Sequence, residues 1–293
     1  MRYFPLLALA AAAPAAAAPA AAAPAAAQTI GQCAFDPATL SFAGTPVVQA
    51  ECLLQHVAQG GVRSAQPLPK VLRALLETGG APPPGAIETA IALFPEPYRA
   101  YAVANAGLGI SHTEAGLPAR YFVIHDTSSP FLRDAEFPRD LDHDPQINSF
   151  AAYIHTEPVA HIFLNRGGQI WAGHDFSQPW RATKLESFVV GAPAKGRFVH
   201  VETVQPRRFA TGSQWHGDTL APTPGFSDAQ YRMLAALYVY ASARAEMWLI
   251  PGFHNGVDAG IPEAHDDPQN FDLNRFGKEL EKLLKDARHV SAA

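Results

Sequence analysis

The chain has 293 residues, of which 48% are hydrophobic and 17% charged, and its formal net charge is −5 at pH 7. This composition is ordinary for a soluble globular protein and excludes an intrinsically disordered chain, a collagen-like repeat and a polytopic membrane protein. The acidic balance and the absence of a long basic run argue against a nucleic-acid partner.

Residues 1–27 have the pattern of a signal peptide. Arg2 precedes a short apolar stretch and an alanine-rich run, and residues 25–27 offer a cleavage site of small residues before Gln28. The apolar stretch is too short for a membrane anchor, and prolines interrupt the alanine-rich run. We therefore expect export to the periplasm or secretion, with no integral membrane segment after the signal peptide is removed.

The chain contains two cysteines, Cys33 and Cys52. In the oxidising compartment that a signal peptide implies, a single pair of cysteines favours a disulfide bond. Two buried free thiols are the alternative interpretation. The sequence has no CxxC pair, so a cysteine-based metal site is not expected.

Residues 28–118 are predicted to form a helical N-terminal domain. Apolar residues recur at helical spacing in residues 47–54 and 68–76, and the stretch rich in Gly and Pro at 79–84 ends the second helix. This part of the sequence holds no constellation of catalytic side chains. We expect it to act as a cap, a spacer or a binding element.

Residues 119–293 combine strand and helix signals. Residues 121–124 form a short continuous apolar run, which is typical of a strand buried on both faces. Residues 161–171 predict a β-hairpin with a glycine turn, and a strong helix begins after the capping residue Ser227. Strands interleaved with helices indicate an α/β domain.

Three side chains with metal-ligand chemistry stand beside these elements. His125 ends the buried strand, His254 follows another short apolar run, and Asp267 precedes the final helix. Two imidazoles and one carboxylate with an open fourth position are the ligands of a catalytic zinc site. Because these residues are far apart in the chain, spacing alone does not establish the site, and Asp266 is an alternative third ligand.

The sequence around these side chains resembles the type 2 N-acetylmuramoyl-L-alanine amidases, the family that includes the peptidoglycan recognition proteins. Six segments match the family in the same order between residues 119 and 285. They are YFVIHDTS at 121–128, VAHIFLNRGGQI at 159–170, VHVE at 199–202, FSDAQY at 226–231, GFH at 252–254 and DPQNFD at 267–272.

The resemblance implies an α/β fold with a mixed central β-sheet flanked by helices, preceded by the small helical domain. It also implies a zinc amidase that cleaves the bond between N-acetylmuramic acid and L-alanine in peptidoglycan or muropeptides. The implied Zn²⁺ ligands are His125, His254 and Asp267. Glu202 matches the catalytic carboxylate that activates or orients the metal-bound water. His265 stands where many bacterial members have a lysine that stabilises the oxyanion.

Three further residues are candidates for substrate binding: His161, Arg181 and His200. His161 lies in the hairpin segment, and Arg181 follows a tryptophan at a place where the family often has histidine. His200 shares a strand face with Glu202, so both side chains could line one cleft. A structural or solvent-exposed role is the alternative for each.

Two other functions stay open at this point. A non-catalytic peptidoglycan-binding protein could share the same fold, although members that only bind typically lack a zinc ligand and none is missing here. A zinc amidase or peptidase with another substrate is also compatible, because the ligand chemistry does not specify the bond that is cleaved.

Overall fold

A computed structural model describes residues 29–133, 135–154, 158–209 and 219–291. The predicted signal peptide at residues 1–27 lies outside the described residues. Within the described ranges, no helix is both long enough and apolar enough to cross a lipid bilayer.

The strands and helices are numbered along the chain. The strands are β1 (Phe35–Asp36), β2 (Ser41–Phe42), β3 (His56–Val57), β4 (Arg63–Ser64), β5 (Tyr121–Asp126), β6 (Ile162–Leu164), β7 (Ile170–Ala172), β8 (Phe198–Thr203), β9 (Arg208–Phe209), β10 (Thr219–Leu220) and β11 (Ile250–Phe253). The helices are α1 (Pro46–Leu53), α2 (Lys70–Thr78), α3 (Ala86–Leu93), α4 (Tyr98–Asn105), α5 (Asp228–Arg244), α6 (His254–Val257) and α7 (Leu273–Ser291).

The centre of the molecule is a five-stranded mixed sheet with the strand order β11-β5-β8-β6-β7. Strand β5 runs parallel to both β11 and β8, β8 runs parallel to β6, and β7 closes one edge as the antiparallel partner of β6. With helices packed against it, this sheet confirms the predicted fold class.

The register of the sheet brings distant residues to one edge. His125 on β5 is paired with Glu202 on β8, and Phe253 at the end of β11 is paired with Ile124. The residue that follows β11, His254, therefore emerges beside His125. Parallel strands end at the same edge of a sheet, where α/β proteins place their ligand sites.

Helix α5 is the main helical support of the sheet. Ser227 and Gln230 form the predicted capping box at its start, and almost every residue along the helix is buried. Tyr238 packs against Phe122 of β5 on one side and Phe276 of α7 on the other. A helix that is buried on all sides needs apolar residues around its whole circumference, which α5 has.

The N-terminal residues pack into the same core. Helix α1 contacts β11 and α6, and α3 contacts α5 and α7. Gly256 in α6 lies so close to the backbone of Leu53 that a side-chain carbon at this glycine would overlap the Leu53 carbonyl group. Two short antiparallel strand pairs, β1–β2 and β3–β4, accompany the predicted helices. The domain boundary near residue 118 stays a prediction.

The predicted disulfide bond is present between Cys33 and Cys52, which are 19 residues apart. A loop of this length stabilises a folded chain by about 3 kcal/mol in the chain-entropy model, because the cross-link restricts the unfolded state. We expect reduction to lower the free energy of unfolding by that amount, measured by urea unfolding with and without a thiol reductant. The Cys33→Ser/Cys52→Ser variant should behave like the reduced wild type and should not respond to the reductant. Equal unfolding midpoints for fully oxidised and fully reduced protein would contradict this prediction.

Candidate metal centre

Three buried side chains meet at the carboxyl edge of the sheet. They are His125 on β5, His254 at the start of α6 and Asp267 in the loop before α7, and their ligand atoms all lie within 4.8 Å of one another. Nδ1 of His254 is 3.0 Å from Nδ1 of His125 and 3.0 Å from Oδ1 of Asp267. The backbone N–H of Asp126 donates to Oδ2 of Asp267 at 3.1 Å, which holds the loop against β5. Such a group could hold a metal ion.

The contacts of His254 fix which of its nitrogens faces this centre. Nε2 of His254 lies 3.0 Å from Oδ2 of Asp258, one helical turn further along the chain. The Asp258 carboxylate also accepts hydrogen bonds from the backbone N–H groups of Lys184 and Leu185. A carboxylate that accepts from these donors holds a proton on Nε2 of His254, so Nδ1 is left for a metal.

His125 presents the same nitrogen. Its Nε2 lies 3.1 Å from Nδ1 of the buried His200, whereas its Nδ1 points toward His254. Two imidazole Nδ1 atoms and one carboxylate therefore converge, each with its remaining polar atom contacting another protein group. This donor set fits Zn²⁺, which prefers nitrogen, sulfur and carboxylate ligands.

His254 and Asp267 favour opposite charges in the metal-free protein. Burial opposes a charge on His254, but Asp267 and Asp258 outweigh it and raise the pKa of His254 well above its ordinary value. Burial likewise opposes the charge on Asp267, but the neighbouring His254 outweighs it and lowers the pKa of Asp267. A metal ion must displace the proton on Nδ1 of His254, so metal binding is expected to tighten as the pH rises.

Glu202 stands at the edge of the three side chains. Its Oε1 is 3.7 Å from Nδ1 of His125, and its side chain is 13% exposed. Its Oε2 is buried and has no hydrogen-bond partner in the described part of the chain. Burial, reinforced by the charge of Asp267, raises the pKa of Glu202 to about 8. A carboxylate with an unused oxygen at this position has the chemistry of a general base.

The raised pKa of Glu202 predicts a pH-dependent stability of the metal-free protein. Because the folded state binds this proton more tightly than the unfolded state, the protonated carboxyl favours folding at low pH, and this advantage is lost as the pH rises from the ordinary value of 4.5 to about 8. We expect Glu202→Gln to unfold like the wild type below pH 4.5 and to be more stable by a few kcal/mol above pH 8, since one pKa unit corresponds to about 1.4 kcal/mol.

The measurement is urea unfolding of both proteins in the presence of a chelator across this pH range. Taking the difference between the two proteins removes the contributions of the other titrating groups. A difference that does not change with pH would show that Glu202 titrates near its ordinary value.

A cleft of about 480 Å³ opens above the metal centre. Glu202, His254 and His265 line it, and the side chain of His265 is 57% exposed beside the His254 ring. Burial, together with the charge of His254, lowers the pKa of His265. The wall of the cleft includes Trp180, Arg181, Thr183, Lys184 and Phe188.

The structure does not bring two of the predicted substrate-binding residues to this cleft. His161 is buried, its Nε2 contacts the carbonyl oxygen of Gln178, and its Nδ1 accepts from the backbone N–H of His200. His200 is also buried, one pleat below Glu202 on the same face of β8. Strand alternation predicts the face of a side chain but not its depth, which is why His200 was expected in the cleft. His161 was a candidate only because it lies in the hairpin segment.

The structure places the other predicted site residues at the centre or in the cleft. Arg181 lines the cleft wall, and Asp267 rather than Asp266 joins the two histidines. Two buried carboxylates beside the histidines, Asp258 and Glu186, were missed. Asp258 could have been found from its spacing of four residues after His254, since such residues are neighbours on a helix. No pattern in the sequence points to Glu186.

Comparisons with known proteins find a similarity of structure. No protein-family model matches the chain, and no curated protein matches it. Among solved structures, the chain is similar to a crystal structure of a selenomethionine AmpD derivative, with 20% sequence identity and a TM-score of 0.35 over 60% of this chain and 95% of that chain. The function proposed below rests on the residues of the site and on the sequence segments described above.

Proposed function

We propose that this protein is a zinc-dependent amidase that hydrolyses the bond between N-acetylmuramic acid and L-alanine in peptidoglycan or muropeptides. The observation that carries the proposal is the buried group of His125, His254 and Asp267 with Glu202 beside it. His254 and Glu202 line an open cleft. The choice of substrate is supported by the six ordered sequence segments that resemble the type 2 amidases.

Hydrolysis of an amide at neutral pH needs an activated water, a proton acceptor and a group that stabilises the developing oxyanion. When bound by His125, His254 and Asp267, Zn²⁺ supplies Lewis acidity and lowers the pKa of water to about 7. Glu202 accepts the proton of the attacking water and returns it to the leaving amine.

His265 is the candidate for stabilising the oxyanion. It reaches the cleft beside His254 and is the most exposed of the histidines at the centre, so it is accessible to a bound substrate. Its role is a hydrogen bond to the carbonyl oxygen that becomes negative as the amide is attacked.

The cleft wall supports an acidic peptide as part of the substrate. Arg181 and Lys184 are two cationic residues in the lining of this cleft. Guanidinium groups bind carboxylates through paired hydrogen bonds, and the stem peptide of peptidoglycan carries free carboxylates. We therefore assign Arg181 to binding the peptide portion.

The proposed substrate also requires the protein to act outside the cytoplasm. The disulfide bond between Cys33 and Cys52 supports an oxidising compartment, because such bonds form and persist there. The signal-peptide pattern of residues 1–27 supports the same location, periplasmic or secreted.

Digestion of purified peptidoglycan and defined muropeptides, followed by mass spectrometry, tests the proposal. The expected products are a stem peptide with a free L-alanine amine and an intact lactyl carboxylate on the sugar, and they should disappear when a chelator is added and return with Zn²⁺. Products cut within the peptide would instead indicate a peptidase. Retention on peptidoglycan without any product would indicate a binding protein.

A further inference from the structure

Two fully buried ionisable side chains lie beneath the metal centre and have no part in the proposed reaction. They are His200 on β8 and Glu186 in the π-helical segment Leu185–Val190, and both have no exposed side-chain surface. Burying a carboxylate and an imidazole costs free energy unless their polar atoms are matched. Their contacts therefore indicate what they do.

His200 connects Glu186 to a metal ligand. Its Nδ1 lies 3.1 Å from Nε2 of His125, and its Nε2 lies 3.2 Å from Oε2 of Glu186. The ring is held in place because the backbone N–H of His200 donates to Nδ1 of His161, and the two rings stack with 5.6 Å between their centroids. Glu186, His200 and His125 thus form one chain of contacts that ends at the metal centre.

The carboxylate of Glu186 determines which ring nitrogen of His200 carries a proton. Its Oε2 accepts hydrogen bonds from Oγ1 and the backbone N–H of Thr183, as an ionised carboxylate does. Nε2 of His200 lies 3.2 Å from this oxygen but outside hydrogen-bond geometry, so the contact between the two groups is electrostatic. A carboxylate only accepts, and a ring nitrogen with a lone pair beside it would be repelled. Nε2 of His200 therefore carries the proton.

The positions of the other ring protons in this series of contacts follow from the proton on Nε2 of His200. A neutral His200 with its proton on Nε2 has only a lone pair on Nδ1, so the proton at the contact between the two rings belongs to Nε2 of His125. His125 then has its lone pair on Nδ1, the nitrogen that faces His254 and Asp267.

We propose that Glu186 and His200 are positioning residues that hold the proton of His125 on Nε2 and so keep its Nδ1 available as a metal ligand. This inference rests on the metal centre of the proposed function. It gives each histidine ligand its own carboxylate: Asp258 contacts His254 directly, and Glu186 acts on His125 through His200.

The Glu186→Met variant tests the proposal because it keeps the length of the side chain and removes the carboxylate. Without an acceptor beside Nε2 of His200, nothing holds the proton of His200 on that nitrogen. His200 can then carry its proton on Nδ1, which drives the proton of His125 onto Nδ1, where it blocks the metal.

The direct readout is the tautomer of His125 from ring ¹⁵N chemical shifts in the metal-free, full-length protein. We expect the Nε2–H tautomer in the wild type and a substantial population of the Nδ1–H tautomer in Glu186→Met. We also expect the dissociation constant for Zn²⁺, measured by competition with a chelating dye, to rise about 10- to 100-fold in this variant.

Glu186→Gln is the matched control. The hydroxyl and backbone N–H of Thr183 hold the amide oxygen at the position of Oε2, where it remains an acceptor beside Nε2 of His200, so the tautomer and the Zn²⁺ dissociation constant should stay at their wild-type values. An Nδ1–H tautomer in the wild type overturns the proposal without any variant. An unchanged tautomer or an unchanged Zn²⁺ affinity in Glu186→Met overturns it as well.

The two readouts separate this inference from the proposed function. The tautomer is measured without metal, so it decides the role of Glu186 and His200 whichever bond the protein cleaves. A wild type that shows the Nε2–H tautomer and binds Zn²⁺ but releases no stem peptide would overturn the substrate assignment and leave the positioning role supported.

Discussion

Replacement of Glu202 by Gln is expected to lower the turnover rate on a muropeptide by about 10²- to 10⁴-fold, the usual range for loss of a general base. The amide cannot accept a proton from water, yet it occupies the same volume beside His125. Because Glu202 is not one of the three converging ligands, the Zn²⁺ content should stay close to that of the wild type. The measurement is the initial rate of stem-peptide release, with metal quantified in the same preparation.

Glu77→Gln is a suitable control for the loss of a glutamate charge, because Glu77 is an exposed side chain on α2. It should show the wild-type rate. A Glu202→Gln protein that retains Zn²⁺ and also turns over at the wild-type rate would show that another group accepts the proton. Loss of Zn²⁺ from this variant would instead make Glu202 a ligand.

Replacement of Asp267 by Ala is expected to weaken Zn²⁺ binding by more than about 100-fold, beyond the effect typical of residues that only support a ligand. It removes one of three ligands and leaves the cationic His254 without its principal partner. Stem-peptide release should fall to the background rate at Zn²⁺ concentrations that saturate the wild type. Equilibrium dialysis against buffered Zn²⁺ measures the binding.

Asp266→Ala is the matched control, because Asp266 is the adjacent carboxylate and contacts Gln269 and Arg207 rather than the histidines. It should retain Zn²⁺ and activity. If Asp266→Ala lost the metal and Asp267→Ala kept it, the third ligand would be Asp266.

Local patterns predicted much of the fold and the site. The apolar run of β5, the capping box of α5 and the polar residues that follow buried strands are all signals within a few residues of one another. Their agreement with the structure at His125, His254 and Asp267 reflects a general property of parallel sheets, in which strand ends collect at one edge.

The contacts between distant elements could not be predicted from the sequence. The pairing of β11 with β5, which brings His254 beside His125, is a long-range contact that no local pattern encodes. The approach of Glu186 to His200 likewise joins a π-helical segment to a strand. The depth of His200 depends on what covers it, so strand periodicity placed it on the same face as Glu202 without showing that it is inaccessible.

Gly256 lies at a contact between the predicted N-terminal domain and the part of the chain that holds the metal ligands. Because Gly256 lets the backbone of Leu53 approach, the helix that carries Cys52 lies directly against the helix that begins with the ligand His254. A fragment that keeps every ligand but lacks residues 29–118 would expose this contact to water. Such a fragment is therefore a poor choice for expression, and an assay of the metal centre should use the chain with its N-terminal residues and its disulfide intact.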